Sequence, residues 1–337
     1  MQRLKTPRRR LKSQRLRLIK QPTKASVNVR KAERVNVPDI FKFSEEVESA
    51  LVEKRAVVAL ESTVIAHGLP RPQNLETALR LEEIVRAKRA VPATIAILEG
   101  TVHVGLTSAQ LEHIARSGDV HKISRRDLPV AIAKRWYGAT TVATTALIAE
   151  RAGIKIFATG GIGGVHRGGS QDVSADLPEL ARVNLVVVCS GAKIVLDLHA
   201  TREWLETHGI TVVGYDTDEM PAFYSRLSGL EVDVRADSPA EVAAILEARR
   251  ALNLEGATLV TVPVPEDAEV KAERLDEVLS EALAEAADRN IIGRELTPFL
   301  LSRMAEKSGG ETLRANLALL ENNARVATEI ALAIARE

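Results

Sequence analysis

The chain has one cysteine, Cys189, in 337 residues. That excludes an internal disulfide and fits a reducing, cytoplasmic setting. Aromatic residues make up only 3%, against 45% hydrophobic residues overall. The core must therefore be built from Val, Ile, Leu and Ala, as in buried parallel sheets. No apolar run reaches the roughly 18 residues needed to cross a bilayer, so no membrane partner is expected. The seven histidines show none of the His-x-x-x-His or Cys/His spacings that zinc uses. The body has no internal repeat and no Gly/Ser linker, which favours one layered domain over two.

The net charge of +1 hides an asymmetry. Residues 1–34 hold 13 Lys or Arg and one acid, Glu33. Removing that +12 from the total of +1 leaves residues 35–337 at −11. The stretch MQRLKTPRRRLKSQRLRLIK has few core-forming residues, and residues 1–40 read as a disordered basic tail. It lacks the apolar segment of a secretory signal. An organelle-targeting peptide, a nucleic-acid tether and a dispensable extension remain open for it. The acidic body argues against a nucleic-acid partner for the rest of the chain.

From about residue 45 short β-branched runs alternate with helical patterns. AVVALEST reads as a strand, followed by a Gly/Pro loop and the helix LETALRLEEIVRAKRA. ATIAILEG and TVHVGL read as a hairpin around Gly100. TTVATTALIAERAG is helical, KIFATGG a strand, SADLPELARV a helix and NLVVVCSG a strand. AKIVLDLHATREWLETHG reads as a helix closed by Gly209, and TLRANLALLENNARVATEIALAIARE as a long final helix carrying three asparagines. This succession predicts an α/β protein: a single three-layer α/β/α domain over residues 45–335 with a mostly parallel central sheet.

In open α/β sheets ligands bind beyond the carboxyl ends of the strands. AVVAL is followed there by Glu61, KIFAT by the glycine loop GGIGGVHRGG, and NLVVVC by SGAK with Lys193. Lys193, set among aliphatic residues, either snorkels to the surface from a first helical turn or is an amine whose charged form is disfavoured, and hence a nucleophile. The glycine loop fits neither a dinucleotide fingerprint nor a P-loop. It is either a tight turn or a place where backbone N–H groups meet an anion. Asp172 and Asp176 are one helical turn apart, with Ser174 or Asp172 as a helix cap in one reading and a hard-metal ligand in the other. Lys122, Arg125 and Arg126 form a solvated rim or a phosphate clamp. Thr140 and Thr141, at a helix N-terminus, add a possible anion site. A phosphorylated small molecule is the common denominator.

Taken together, ALESTVIAHGLPRPQN, GTVHVGLT, KISRRDLP, GATTVATT, IFATGGIGGVHRG, DVSADLPEL, CSGAKIVLD and TPFLL closely resemble the pseudouridine-5′-phosphate glycosidases, the indigoidine-synthase-A-like family. The likeness covers roughly residues 45–335. It implies reversible cleavage of the C–C glycosidic bond of pseudouridine 5′-phosphate to ribose 5-phosphate and uracil. A related C-nucleoside phosphate with a different base is the alternative. By resemblance, Lys193 corresponds to a Schiff-base lysine and Glu61 to the proton donor. Lys122, Thr141, Val142, Ser174, Ala175, Asp176, His166 and Asn316 fall at substrate-binding positions. Asp172 corresponds to the ligand of one divalent ion, Mn²⁺, held otherwise by water. The family likeness also implies a homotrimer. Between HRG and DVSADL this chain reads only GSQ, Gly169–Gln171, about two residues fewer than the family pattern, which bears on the placement of Asp172.

Overall fold

The computed structural model describes residues 40–168 and 172–336. The basic tail up to residue 39 and the GSQ stretch lie outside the described residues. In chain order the strands are β1 (Phe41–Phe43), β2 (Val57–Leu60), β3 (Val91–Leu98), β4 (Thr101–Val104), β5 (Val120–Ile123), β6 (Tyr137–Thr140) and β7 (Ile156–Ala158). They continue with β8 (Val165–His166), β9 (Val186–Cys189), β10 (Leu196–Asp197), β11 (Thr211–Tyr215), β12 (Val234–Ala236) and β13 (Thr258–Thr261).

One sheet of 11 strands runs β1-β4-β3-β2-β7-β9-β13-β11-β12, with β6 on β3 and β5 on β6. From β3 through β12 every neighbouring pair is parallel. Helices cover both sides, so the expected α/β architecture with a mostly parallel sheet is the one adopted. The central strands VVAL, IFA, VVVC and TLVT are buried along their whole length. Both faces of such strands are covered, which is why they read as continuous apolar runs rather than alternating ones. Each fully buried Val, Leu or Ile contributes about 1.5–3 kcal/mol.

The sheet changes character at β3. Val91–Thr94 pair in parallel with β2, while Ile95–Leu98 pair antiparallel with β4 in the expected hairpin around Gly100. The same second half pairs antiparallel with β6. Because β6 runs against β3, its carboxyl end meets the carboxyl end of β2 head-on. Ser62 stitches the two ends together: its hydroxyl donates to the Ile95 carbonyl at 2.6 Å and accepts from the Thr140 N–H at 2.8 Å.

Two predicted helices are shorter than their sequence pattern. The one read from Ala192 begins only at Leu198, where the Asp197 carboxylate accepts from the Ala200 N–H at 2.9 Å. Upstream, Leu196–Asp197 pair with Val165–His166 as β10 and β8, which holds the chain extended just where helical periodicity continued. Lys193 therefore sits in the loop ahead of this helix and not in its first turn. The helix read over SADLPELARV spans only Asp176–Leu180. The short edge strands β1 and β12 were not foreseen; three residues carry no usable period.

Candidate active site

The carboxyl ends of β2, β5, β6, β7 and β9 open into one cavity of about 720 Å³. The eleven residues that the family resemblance places in the site all line it: Glu61, Lys122, Thr141, Val142, His166, Asp172, Ser174, Ala175, Asp176, Lys193 and Asn316. They come from positions far apart in the chain because the parallel strands deliver them to one edge of the sheet.

Glu61 leaves the end of β2 and is buried. The Thr159 hydroxyl, at the end of β7, donates to its Oε1. Burial pushes the Glu61 carboxyl above the usual carboxylate range, opposed by the Lys193 ammonium and the Thr159 bond and reinforced by the Asp176 charge. The outcome is a carboxyl biased toward its protonated form. Lys193, half-buried, donates from Nζ to the Gly161 carbonyl at 2.7 Å. Its backbone N–H donates to the Ile162 carbonyl at 3.1 Å. The lysine does not snorkel to the surface; it is held at both ends by the glycine loop.

That loop uses its polar groups on protein partners. The Gly163 N–H donates to Asp176 Oδ2 at 2.8 Å, and the Ala143 N–H, in the first turn of the helix after β6, donates to Asp176 Oδ1 at 2.9 Å. Asp176 is thus a buried carboxylate satisfied by two backbone donors, one from a helix N-terminus. A Cβ at Gly163 would lie 2.1 Å from Ser174 Oγ and 2.7 Å from Asp176 Oδ2. Close approach of protein to protein fixes this glycine, and the anion cradle considered for the loop is occupied by Asp176. Ser174 accepts from the Asp176 N–H at 3.3 Å, while Asp172 plays no capping part. Of the two threonines considered as an anion site, Thr141 lines the cavity and accepts from the Thr144 N–H of its own helix at 3.4 Å. Thr140 is fully buried and donates to the Ile95 carbonyl at 2.8 Å, out of reach of a ligand.

The rim is cationic. Lys122, Arg125, Arg126 and Arg182 line it beside His67, which is exposed. Arg125 Nη1 donates to both oxygens of the buried Glu179, at 2.7 and 2.6 Å. Partial desolvation at the cavity wall, and then the Lys122 ammonium, pushes the His67 imidazole below its usual range. Asp172 is exposed at the cavity mouth with one oxygen 2.8 Å from His166 Nδ1. Among the described residues no group of three His, Cys, Asp or Glu side chains could hold a metal. A single hard carboxylate suits a divalent ion that keeps most of its water, and does not make a closed metal cage.

Sequence reasoning missed Ser62, Thr159, Glu179, Phe223 and Asn323. Phe223, buried at a φ of +64°, packs against Gly161, where a Cβ would meet its ring at 2.7 Å. Asn323 belongs to the final helix, Glu311–Arg336, and the signal for it was present: an amide on an otherwise aliphatic face.

The family model for indigoidine synthase A-like proteins matches residues 46–333. The chain belongs to this family. A pseudouridine-5′-phosphate glycosidase of Geobacillus kaustophilus is 52% identical over 295 residues, 87% of this chain and 98% of that protein. Among solved structures, a prealnumycin C-glycosynthase in complex with ribulose 5-phosphate superposes with a TM-score of 0.82 at 41% identity. The match covers 88% of this chain and 98% of that one. An indigoidine synthase A-like protein of Thermotoga maritima gives a TM-score of 0.81 at 40% identity, over 88% and 97% of the two chains.

Proposed function

We propose that this protein is an enzyme that reversibly cleaves the carbon–carbon glycosidic bond of pseudouridine 5′-phosphate, giving ribose 5-phosphate and uracil. The observation that carries the reading is the pairing of Glu61, biased toward its protonated form, with an anchored Lys193 in one cavity. The relatives named for this activity match nearly end to end.

Uracil C5 is a poor leaving group, so the sugar has to become an electron source. Glu61 delivers its proton to the ribose ring oxygen as C1′–O4′ breaks, and Lys193 Nζ bonds to C1′. The Glu61 carboxylate then takes a proton from the new ammonium and returns it to uracil C5. As C1′–C5 breaks, the nitrogen lone pair forms the C1′ iminium, and uracil leaves with its new C5–H. Water adds to the iminium, releasing ribose 5-phosphate and restoring the amine. Placing the Thr159 hydroxyl on Oε1 leaves Oε2 as the oxygen that carries the moving proton.

Lys122, with the arginines of the rim, meets the 5′-phosphate, and Thr141, Val142, Ser174, Ala175, Asp176, His166 and Asn316 surround the sugar and base. Asp172 would hold one Mn²⁺, with His166 on its second oxygen orienting the carboxylate. When bound, the ion supplies positive charge and ordered water at the mouth of the cavity. Family likeness is the support for a homotrimer and a cytoplasmic setting. The prealnumycin C-glycosynthase favours a second reading, the same chemistry on another C-linked aromatic base. Comparing turnover of such substrates with that of pseudouridine 5′-phosphate separates the two.

The mechanism is tested by borohydride reduction with ribose 5-phosphate and peptide mass spectrometry. A ribose-phosphate adduct on Lys193, absent from Lys193→Ala, is expected. Protein that binds ribose 5-phosphate but gives no adduct would sink the Schiff base.

A further inference from the structure

The final helix reaches the catalytic strand ends through one side chain. Asn323 is fully buried, and its Nδ2 donates to the Thr159 carbonyl at 2.9 Å, to the Gly160 carbonyl at 3.3 Å and to Ser190 Oγ at 3.1 Å. The Ser190 hydroxyl returns a bond to Asn323 Oδ1 at 3.2 Å. Leu319 and Leu320, one turn earlier, close on Gly160, where a Cβ would lie 3.2 Å from each.

These partners are the roots of both catalytic arms. Thr159 carries the hydroxyl that donates to Glu61. Gly160 precedes Gly161, whose carbonyl accepts from Lys193 Nζ. Ser190 begins the loop Ser190–Lys193, which is tied to the glycine loop by Ser190 N–H to Gly160 O at 2.8 Å and Ile162 N–H to Gly191 O at 3.0 Å. An amide side chain suits this place because it donates to two carbonyls while accepting from a hydroxyl. Neither Asp nor Leu does both.

We propose that Asn323 is a positioning residue of the reaction, holding the ends of β7 and β9 so that Glu61 and Lys193 address the same C1′ centre. This rests on the glycosidase reading above. Asn323 touches neither reacting residue and acts through Thr159, Gly160 and Ser190. A misplacement of about 1 Å at a reacting centre costs on the order of 10²-fold in rate.

The test compares Asn323→Asp, Asn323→Ala and Ser190→Ala with Asn322→Ala. Asn322 is the neighbour on the same helix and donates instead to the Pro263 carbonyl at 3.2 Å, beyond the end of β13. Turnover of pseudouridine 5′-phosphate, the rate of borohydride-trapped adduct formation with ribose 5-phosphate, and thermal unfolding are measured on each. The Asn323 variants are expected to lose about 10²-fold in kcat and Ser190→Ala about 10-fold, with KM within about 2-fold and adduct formation slowed in parallel. Asn322→Ala is expected to keep wild-type kcat. Should the Asn323 variants fail to fold, Ser190→Ala, which leaves the amide in place, decides alone. Wild-type kcat in folded variants, with only a lower Tm, would reduce Asn323 to structural glue and overturn the proposal. A rise in KM alone would overturn it as well. Wild-type protein that neither cleaves the substrate nor forms the adduct would overturn the glycosidase reading itself, and the inference with it.

Discussion

On the inner wall of the cavity Glu61 is 8% exposed, and behind it Thr159 is 2% and Asn323 0% exposed. At the mouth the Asp172 side chain is 64% exposed and that of Arg125 42%. The inner groups are bonded to the chain itself, so the location of a proton there is decided by burial, by the Lys193 charge and by the Thr159 bond. The outer charges stand in water, where salt screens them and single pairs contribute little to stability. Beside them Lys122, Arg126 and Arg182 present positive charge to an anion arriving from solution. On the proposed reading one cavity divides its work: the wall places the proton and the amine, and the rim meets the phosphate.

The sharpest way to break this division is Glu61→Gln. It keeps an acceptor for the Thr159 hydroxyl and removes the proton, and kcat is expected to fall by about 10³-fold with KM little changed. In wild-type enzyme the alkaline limb of kcat should lie above the ordinary carboxylate range, as the raised Glu61 requires. A limb at the ordinary carboxylate value would show that another group is the acid. Lys122→Met probes the rim. It should raise KM for pseudouridine 5′-phosphate about 10–100-fold, the worth of a hydrogen bond to a charged group, with a small change in kcat. An equal loss of kcat would place Lys122 on the chemical side of the cavity.

A smaller effect concerns stability. Because folding raises the Glu61 value, the folded chain favours the neutral carboxyl. That contribution is fully present below the ordinary carboxylate range and is lost as pH rises through the raised value. Glu61→Gln, neutral throughout, should therefore melt higher than wild type near pH 8, by on the order of 2–4 °C, with the gap closing toward about pH 4. A gap that is constant with pH would show that packing, and not charge, is responsible. Smallest of all, the thiol of Cys189 is pushed up to about 12 by burial. It should stay unmodified by a thiol reagent until the protein unfolds, and rapid native labelling would mean the end of β9 opens.

Much of this cavity was legible because strand ends carry its chemistry: Glu61 after VVAL and Lys193 after VVVC could be found from strand patterns alone. The supporting bonds were not legible, since Thr159 and Ser62 look like any residue that ends a strand. Their roles depend on which strands become neighbours. Helical periodicity misled at residues 192–197, where pairing with Val165–His166 overrides local preference. The glycine loop suggested an anion site, and it does bind a carboxylate, but the carboxylate is the protein's own Asp176.

The bond from Asn323 to Thr159 spans 164 residues of chain. During synthesis the strands of the sheet emerge before the helix that joins their ends, and elements made earlier can fold earlier. The cavity can thus take shape in outline while its two reacting groups are still out of register. Reactive-amine chemistry on sugar aldehydes would be held back in the nascent chain until the last long helix docks. On the proposed reading, turnover would then report that this helix has docked on the strand ends.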